Sequence, residues 1–212
     1  ADDTDCNLET FTDNDGVCRV KDKEIILKLC IGTVAFYLGK KASEYHSHKW
    51  TVYVREANNN DISHIIEKVT FQLHPSFSNP TRHVETPPFE LTETGWGEFE
   101  IAIQLHFKED VKHKEVELYH PLKLYSETDG PQGQISKKPV VQEEYDEVVF
   151  SEPPKPFYTR VTKTPPKPAP ESAMAPYFQA HNPQEELSKI QAARHKAAQF
   201  RATLLKQLEP AA

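Results

Sequence analysis

The chain is poor in the residues that most catalytic, disulfide-bonded or membrane-spanning proteins depend on. Its 212 residues include three cysteines, seven glycines and one methionine. Cys6, Cys18 and Cys30 are an odd set, two of them in a polar N-terminal stretch, so neither a disulfide framework nor a zinc spacing follows. Such usage suits a reducing compartment, cytosol or nucleus. No apolar run approaches the length that spans a bilayer, and no signal-peptide core opens the chain. The first residue is not methionine, so the chain reads as a fragment or a processed form. Basic excess is missing too. The net charge is −7, whereas nucleic acid asks for a basic footprint. The expected partner is itself basic, such as a Lys/Arg-rich peptide drawn in by opposite charge.

Catalytic signatures are equally scarce. There is no Gly-rich phosphate loop, no serine nucleophile elbow and no Cys–His pattern. His46, His48 and His74 come nearest to a ligand set, but a His-x-His with one distant partner is a weak metal signal. Neither an enzyme, a metal nor a cofactor is expected, and neither direct nucleic acid nor a membrane is an expected partner.

What the chain does have is patterned. Hydrophobic residues make up 37% and the mean hydropathy is −0.66, as one core with poorly structured tails would give. Residues 1–23 read as a disordered acidic tail. Glu24 to Leu38 is apolar and β-branched, with Gly32 placed where a bulge or kink would divide two strands. Trp50, Val52 and Val54 alternate with polar neighbours, as do Val69, Phe71 and Leu73. Phe89 and Leu91 begin a short strand, and Phe99, Ile101, Ile103, Leu105 and Phe107 give the cleanest alternation. Glu115 to Leu124 follows, bent at Pro121, and Pro139 to Phe150 offers an edge strand. Short strands joined by Pro- and Asn-bearing turns predict an all-β, antiparallel sandwich over residues 24–126.

Residues 127–181 are rich in proline and read as an extended linker without a core of its own. A helix is then expected over 182–209, with Asn182 as N-cap, Pro183 in the first turn and Glu185 as a capping-box partner. Leu187, Ile190, Ala193, Ala197, Phe200, Leu204 and Leu208 form one apolar stripe along it. That stripe is expected to pack on another chain as a coiled coil or bundle; folding back on the sandwich is the alternative.

Two loops hold the candidate site. One carries His74, Ser76 and Phe77; the other, Gly95-Trp-Gly97, leads to Phe99. Glycines on both sides of Trp96 let the backbone turn sharply and lie bare. If sandwich topology brings the loops together, two aromatic faces oppose each other beside a hydroxyl and backbone N–H groups. No carboxylate falls between His74 and Phe77, so the cleft suits a flat, neutral group with a carbonyl and an amide N–H. An acylated lysine has that chemistry, whereas a methyl-lysine cage exploits a retained charge. The acyl carbonyl would accept from the N–H of Trp96 or Gly97, and the amide would donate to Ser76 Oγ.

The same residues resemble the YEATS domain family from about Ile25 to Leu124. The resemblance lies in His46-Ser-His-Lys-Trp-Thr-Val-Tyr-Val-Arg55, Phe71-Gln-Leu-His-Pro-Ser-Phe77, Pro87-Pro-Phe89 and Gly95-Trp-Gly-Glu-Phe99. The last block, with Leu118-Tyr-His120, resembles the branch found in nuclear acetyltransferase and histone-exchange complexes. Gly39-Lys-Lys-Ala-Ser-Glu-Tyr45 looks closest to plant members. The resemblance implies an immunoglobulin-like sandwich that reads acetylated or crotonylated histone lysine in the nucleus. It implies that Phe77 and Trp96 sandwich the acyl amide, His46 lines the rim, His74 orients Ser76 and Phe99 closes the base. The partners implied are an acylated histone tail and, through Leu187, Ile190, Ala197, Phe200 and Leu204, another subunit of a chromatin-modifying complex. Some branches place an acid near the position of Pro121 to hold an arginine of the tail, and that acid is absent here. A structural adaptor that scaffolds a complex without reading lysine is the rival; a deacylase-like enzyme finds no nucleophile or metal set.

Overall fold

In the computed structural model, residues 8–113, 115–126, 138–180 and 183–208 are described. Among these residues, ten strands and two α-helices run in the order β1 (Thr10–Thr12), β2 (Cys18–Val20), β3 (Glu24–Tyr37), β4 (His48–Glu56), β5 (Ile66–Gln72), β6 (Thr81–Val84), β7 (Phe89–Gly95), β8 (Glu100–Phe107), β9 (Val116–Pro121), β10 (Val140–Ser151), α1 (Lys155–Lys163) and α2 (Pro183–Leu208). Two four-stranded antiparallel sheets, ordered β10-β3-β4-β7 and β6-β5-β8-β9, form the sandwich. Alternation explains the layering. Trp50 and Val52 of one sheet and Val69, Phe71, Ile101, Ile103 and Leu105 of the other are fully buried in one core. The chain falls into two units, Ala1–Gln179 and Ala180–Ala212.

Four departures from the sequence reading have physical causes. Gly32 does not break β3, which pairs without interruption with β4 and β10. A Cβ at Gly32 would collide with the Tyr53 ring, so the glycine serves close packing within a continuous strand. Residues 10–20 are a hairpin where an unstructured tail is expected. Asp13 Oδ1 accepts from the N–H groups of Asp15 and Val17, and Val20 N donates to Pro153 O at 3.0 Å. That bond and the burial of Val20 tie the hairpin to the sandwich. β9 ends at Pro121, yet Leu122 N donates to Phe99 O at 2.8 Å and Leu122 and Leu124 reach the core.

The largest departure is the proline-rich stretch. Its first part is as expected: β10 lies at a sheet edge, paired with β3 from Val140 to Ser151. In α1, Pro156 occupies the first turn, where a missing N–H costs nothing, and Phe157 is buried edge-on against Phe150 at 5.3 Å. Residues 165–179 form a strap on the sandwich. Asp61 N donates to Lys167 O at 2.7 Å, Ala169 N to Asn59 O at 2.8 Å and Ser172 Oγ to Glu90 at 2.5 Å. The ring of Phe178 meets Tyr53 at 4.8 Å, and Tyr177 meets Phe36 at 5.3 Å. Proline here gives a stiff extended segment that docks through the residues between the prolines.

Helix α2, in the second unit, runs for 26 residues. Asn182, the expected cap, lies outside the described residues. Cys18 and Cys30 are free thiols, and burial pushes Cys30 up to about 11.

Candidate functional site

The two candidate loops meet at one end of the sandwich. Leu73 N donates to Pro80 O at 2.8 Å, closing residues 73–80 into a compact loop, and Phe77 N donates to His74 O at 3.0 Å within it. The other loop leaves β7 at Gly95. A Cβ on Gly95 would stand 3.6 Å from Phe77 Cζ and 3.4 Å from Trp50 Nε1. The Gly95 backbone therefore faces the tip of the Phe77 ring with little between them. Neither Gly95 nor Gly97 has a positive φ. The value of glycine at these positions is space: Gly95 lets the loops approach, and Gly97 opens onto no neighbour within 4 Å.

Within the first loop, hydrogen-bond logic sets the polarity. Ser76 N–H donates to His74 Nδ1 at 3.2 Å, which makes Nδ1 the ring nitrogen without a proton. Ser76 Oγ, 2.9 Å from that same nitrogen, must then also donate to it. The oxygen keeps its lone pairs to accept from another group.

The aromatic residues divide into a packed cluster and one open ring. Phe77 and Phe99 are half-buried, 5.8 Å apart, and both meet the fully buried Trp50 edge-on, at 6.0 and 5.9 Å. His74 stands 6.1 Å from Phe99. Trp96 is 61% exposed and joins none of these ring contacts among the described residues. His46 lies at the lip, exposed, with Nδ1 2.8 Å from Thr94 Oγ1. His74, Ser76, Phe77, Gly95 and Phe99 thus converge, with His46 beside Thr94 at the end of β7, and the exposed Trp96 follows Gly95 directly in the chain.

Trp50, the floor of the cluster, escaped the sequence reading as a site residue. Its alternation announced burial, but only the β4–β7 register, Trp50 opposite Glu93 and His48 opposite Gly95, puts it beneath the loop. Ser47 was missed as well: its Oγ donates to Gly95 O at 3.3 Å and lies 2.8 Å from His48 Nδ1. Burial holds His48 below the ordinary imidazole range, partly offset by the Glu98 charge. Glu98 itself is occupied, accepting from Leu124 N at 2.8 Å and pairing with Lys123 at 3.5 Å. No group of three or more His, Cys, Asp or Glu among the described residues is arranged to hold a metal ion.

Comparison with known proteins decides the family. The YEATS family profile matches residues 45–126, which span both loops. A Protein AF-9 homolog from Eremothecium gossypii is 38% identical over 180 residues, covering 82% of this chain and 86% of that protein. The chain belongs to the YEATS family. Transcription initiation factor TFIID subunit 14b of Arabidopsis thaliana is 58% identical over 148 residues, 69% of this chain but only 54% of that protein. This chain therefore corresponds to about half the length of its plant relative. Among solved YEATS structures, the Yaf9 domain bound to H3K27ac is similar at 37% identity and a TM-score of 0.60, over 69% of this chain and 99% of that one. The Yaf9 domain described as recognising an H3K122suc peptide is similar at 38% identity and a TM-score of 0.57, over 69% of this chain and 98% of that one.

On α2, the described side chains of Leu187, Ile190, Ala197, Phe200 and Leu204 are all exposed, Phe200 by 73%. Leu205, absent from the expected stripe, is exposed as well.

Proposed function

We propose that this YEATS chain is a non-catalytic reader of acylated lysine in histone tails, working in the nucleus as a subunit of a histone acetyltransferase or histone-exchange assembly that regulates transcription. One observation carries the reading. The Phe77 loop and the Gly95-Trp-Gly97 loop meet, with a hydroxyl acceptor at Ser76 on one side and an exposed indole on the other. An acyl-lysine amide is flat and uncharged, so it enters such a slot without the desolvation penalty of an ammonium. Its N–H donates to Ser76 Oγ, and its carbonyl accepts from the backbone N–H of Trp96 or Gly97. Phe77 and Trp96 stack on the amide plane, His74 orients Ser76, Phe99 backs the slot and His46 borders it. Solved Yaf9 domains in complex with acetylated and succinylated histone peptides lend support, as does the chain's net charge of −7 toward a basic tail.

Calorimetry on the full chain tests this. Acetylated and crotonylated histone peptides should bind with micromolar or weaker affinity, since one slot must offset the ordering of a flexible tail. Unmodified peptide should not bind measurably. Equal binding of modified and unmodified peptides, or none of either, would leave the adaptor reading.

That second reading has its own observation: the exposed apolar row of α2, from Leu187 and Ile190 to Phe200 and Leu204. We assign it to a partner subunit, packed as a coiled coil or bundle. Deleting residues 183–212 should release that subunit and spare peptide binding. Loss of both would make the helix part of the reading unit.

A further inference from the structure

We infer that Arg82 is a positioning residue that holds the two halves of the slot in register, a role that rests on the acyl-lysine reading above. β6 and β7 are edge strands of opposite sheets, so no ladder joins them. Arg82 stands on β6 opposite Phe71, and its guanidinium bridges the gap. Its Nε donates to Asn79 O at 2.5 Å, and Nη2 donates to Ser78 O at 3.1 Å. The same Nη2 lies 2.8 Å from Glu93 Oε1 on β7. Ser78 and Asn79 follow directly on Ser76 and Phe77. Glu93 comes two residues before Gly95. One side chain therefore grips the loop with the hydroxyl and the phenyl ring, and also the strand that leads into the tryptophan turn.

Arginine chemistry suits the task. Two carbonyls and a carboxylate are held at once by donors in a fixed planar fork, which a lysine ammonium on a flexible stem cannot match. The ion pair is partly shielded, with side chains 25% and 24% exposed, so salt screens it less than an open surface pair. Other bonds of this loop, Thr81 Oγ1 to Gln72 Oε1 and Leu73 N to Pro80 O, close its base without reaching β7. Without the guanidinium, the Phe77 loop keeps its ring contacts with Trp50 and Phe99 but loses its polar tie to β7, so residues 76–79 hold their place against the Gly95 side less firmly. A ligand must then supply the ordering that the fork supplies in advance, and it binds more weakly.

The test uses the full chain. Arg82→Ala should weaken acetyl-lysine peptide binding about tenfold, mostly through faster dissociation. Amide exchange should rise at residues 76–79 but not along β4. Arg82→Lys keeps a charge facing Glu93 and loses the fork, so its affinity should fall between wild type and Arg82→Ala. Glu93→Gln should weaken binding about threefold, and the double variant should be no worse than Arg82→Ala, because the two act as a unit. Wild-type chain that fails to separate acetylated from unmodified peptide overturns the acyl-lysine reading and this role with it. Wild-type discrimination with unchanged affinity in Arg82→Ala overturns the role alone. So does weaker binding accompanied by faster exchange throughout β4, which would make Arg82 a general stabiliser.

Discussion

β4 and β7 run side by side, and their two ends are treated in opposite ways. At the end holding Tyr53, Arg55 and Glu90, the chain covers itself. Phe178 lies on Tyr53 and beneath the Arg55 guanidinium, 4.6 Å from ring centroid to Cζ, while Ser172 caps Glu90. At the end holding His48, Trp50 and Gly95, the strap supplies only Tyr177, against Phe36 opposite Lys49, and among the described residues it leaves the Phe77 and Trp96 loops uncovered. The rings of Phe77 and Phe99 stay half-buried, and Trp96 stands in solvent. On the proposed reading, a ligand rather than the chain completes the packing around that exposed ring.

The sharpest way to break this contrast is at the sealed end. Arg55 and Glu143 are 7% and 3% exposed and lie 2.6 Å apart. Tyr53 Oη donates to the same carboxylate at 2.6 Å, and Arg55 also donates to Ala57 O and Gln179 O at 3.0 and 2.8 Å. Burial and the Glu143 carboxylate together push the Tyr53 phenol far up, so it stays a donor. Arg55→Ala strands a buried carboxylate, which should cost about 3–5 kcal/mol in urea unfolding. The slot lies at the other end of the strands, so peptide affinity of the folded fraction should hold. A cost under about 1 kcal/mol would mean that water reaches Glu143 and the end is not sealed.

At the open end the signs reverse. Trp96→Ala should lower peptide affinity by about 2 kcal/mol or more, as exposed aromatic anchors do at binding hot spots. Thermal stability should stay within about 0.5 kcal/mol, because the ring packs on little. Unchanged binding would move the aromatic slot elsewhere. Ser76→Ala should follow at about 1–2 kcal/mol in affinity, the cost of leaving a ligand N–H without its acceptor. If Ser76→Ala also sped amide exchange throughout residues 73–80, the hydroxyl would be serving the loop rather than the acyl amide.

The two ends also differ in how far the sequence announces them. Period-2 alternation through Trp50–Val54, Val69–Leu73 and Phe99–Phe107 is a local signal, and these stretches form β4, β5 and β8. The two candidate loops, which the structure brings together, were legible because each carries its polar or aromatic group within a few positions of a turn. The strap was not, because its contacts are remote. Ser172 meets Glu90 across 82 positions and Arg55 meets Gln179 across 124, while proline content signals only extended chain. The hairpin at 10–20 escaped for a similar reason: Pro153 holds it, not a periodic pattern of its own. Arg82 and Trp50 join the loops through sheet register, which no single stretch of sequence displays.

The smallest effect is the acid response, which compares the open end with the interior between the sheets. His48 lies at the open end against Tyr37 and Tyr125, at 5.3 and 5.1 Å. His120 is fully buried, 3.3 Å from Thr33 on β3 and 3.9 Å from Glu144 on β10. Burial is the leading cause that holds both below the ordinary imidazole value, with neighbouring carboxylates opposing it. Both are therefore neutral in the fold under conditions where the unfolded chain takes up protons. Their contribution is complete above the unfolded value of about 6.5 and is lost as pH falls from there toward the lower folded values. Urea midpoints should fall between pH 7.5 and 5.5, before most carboxylates titrate. His48→Gln and His120→Gln should each flatten that slope, whatever they do to the midpoint at pH 7.5. A slope that persists unchanged in both would mean that protonated imidazole is accommodated at either place, by water at the open end or by Glu144 beside β10.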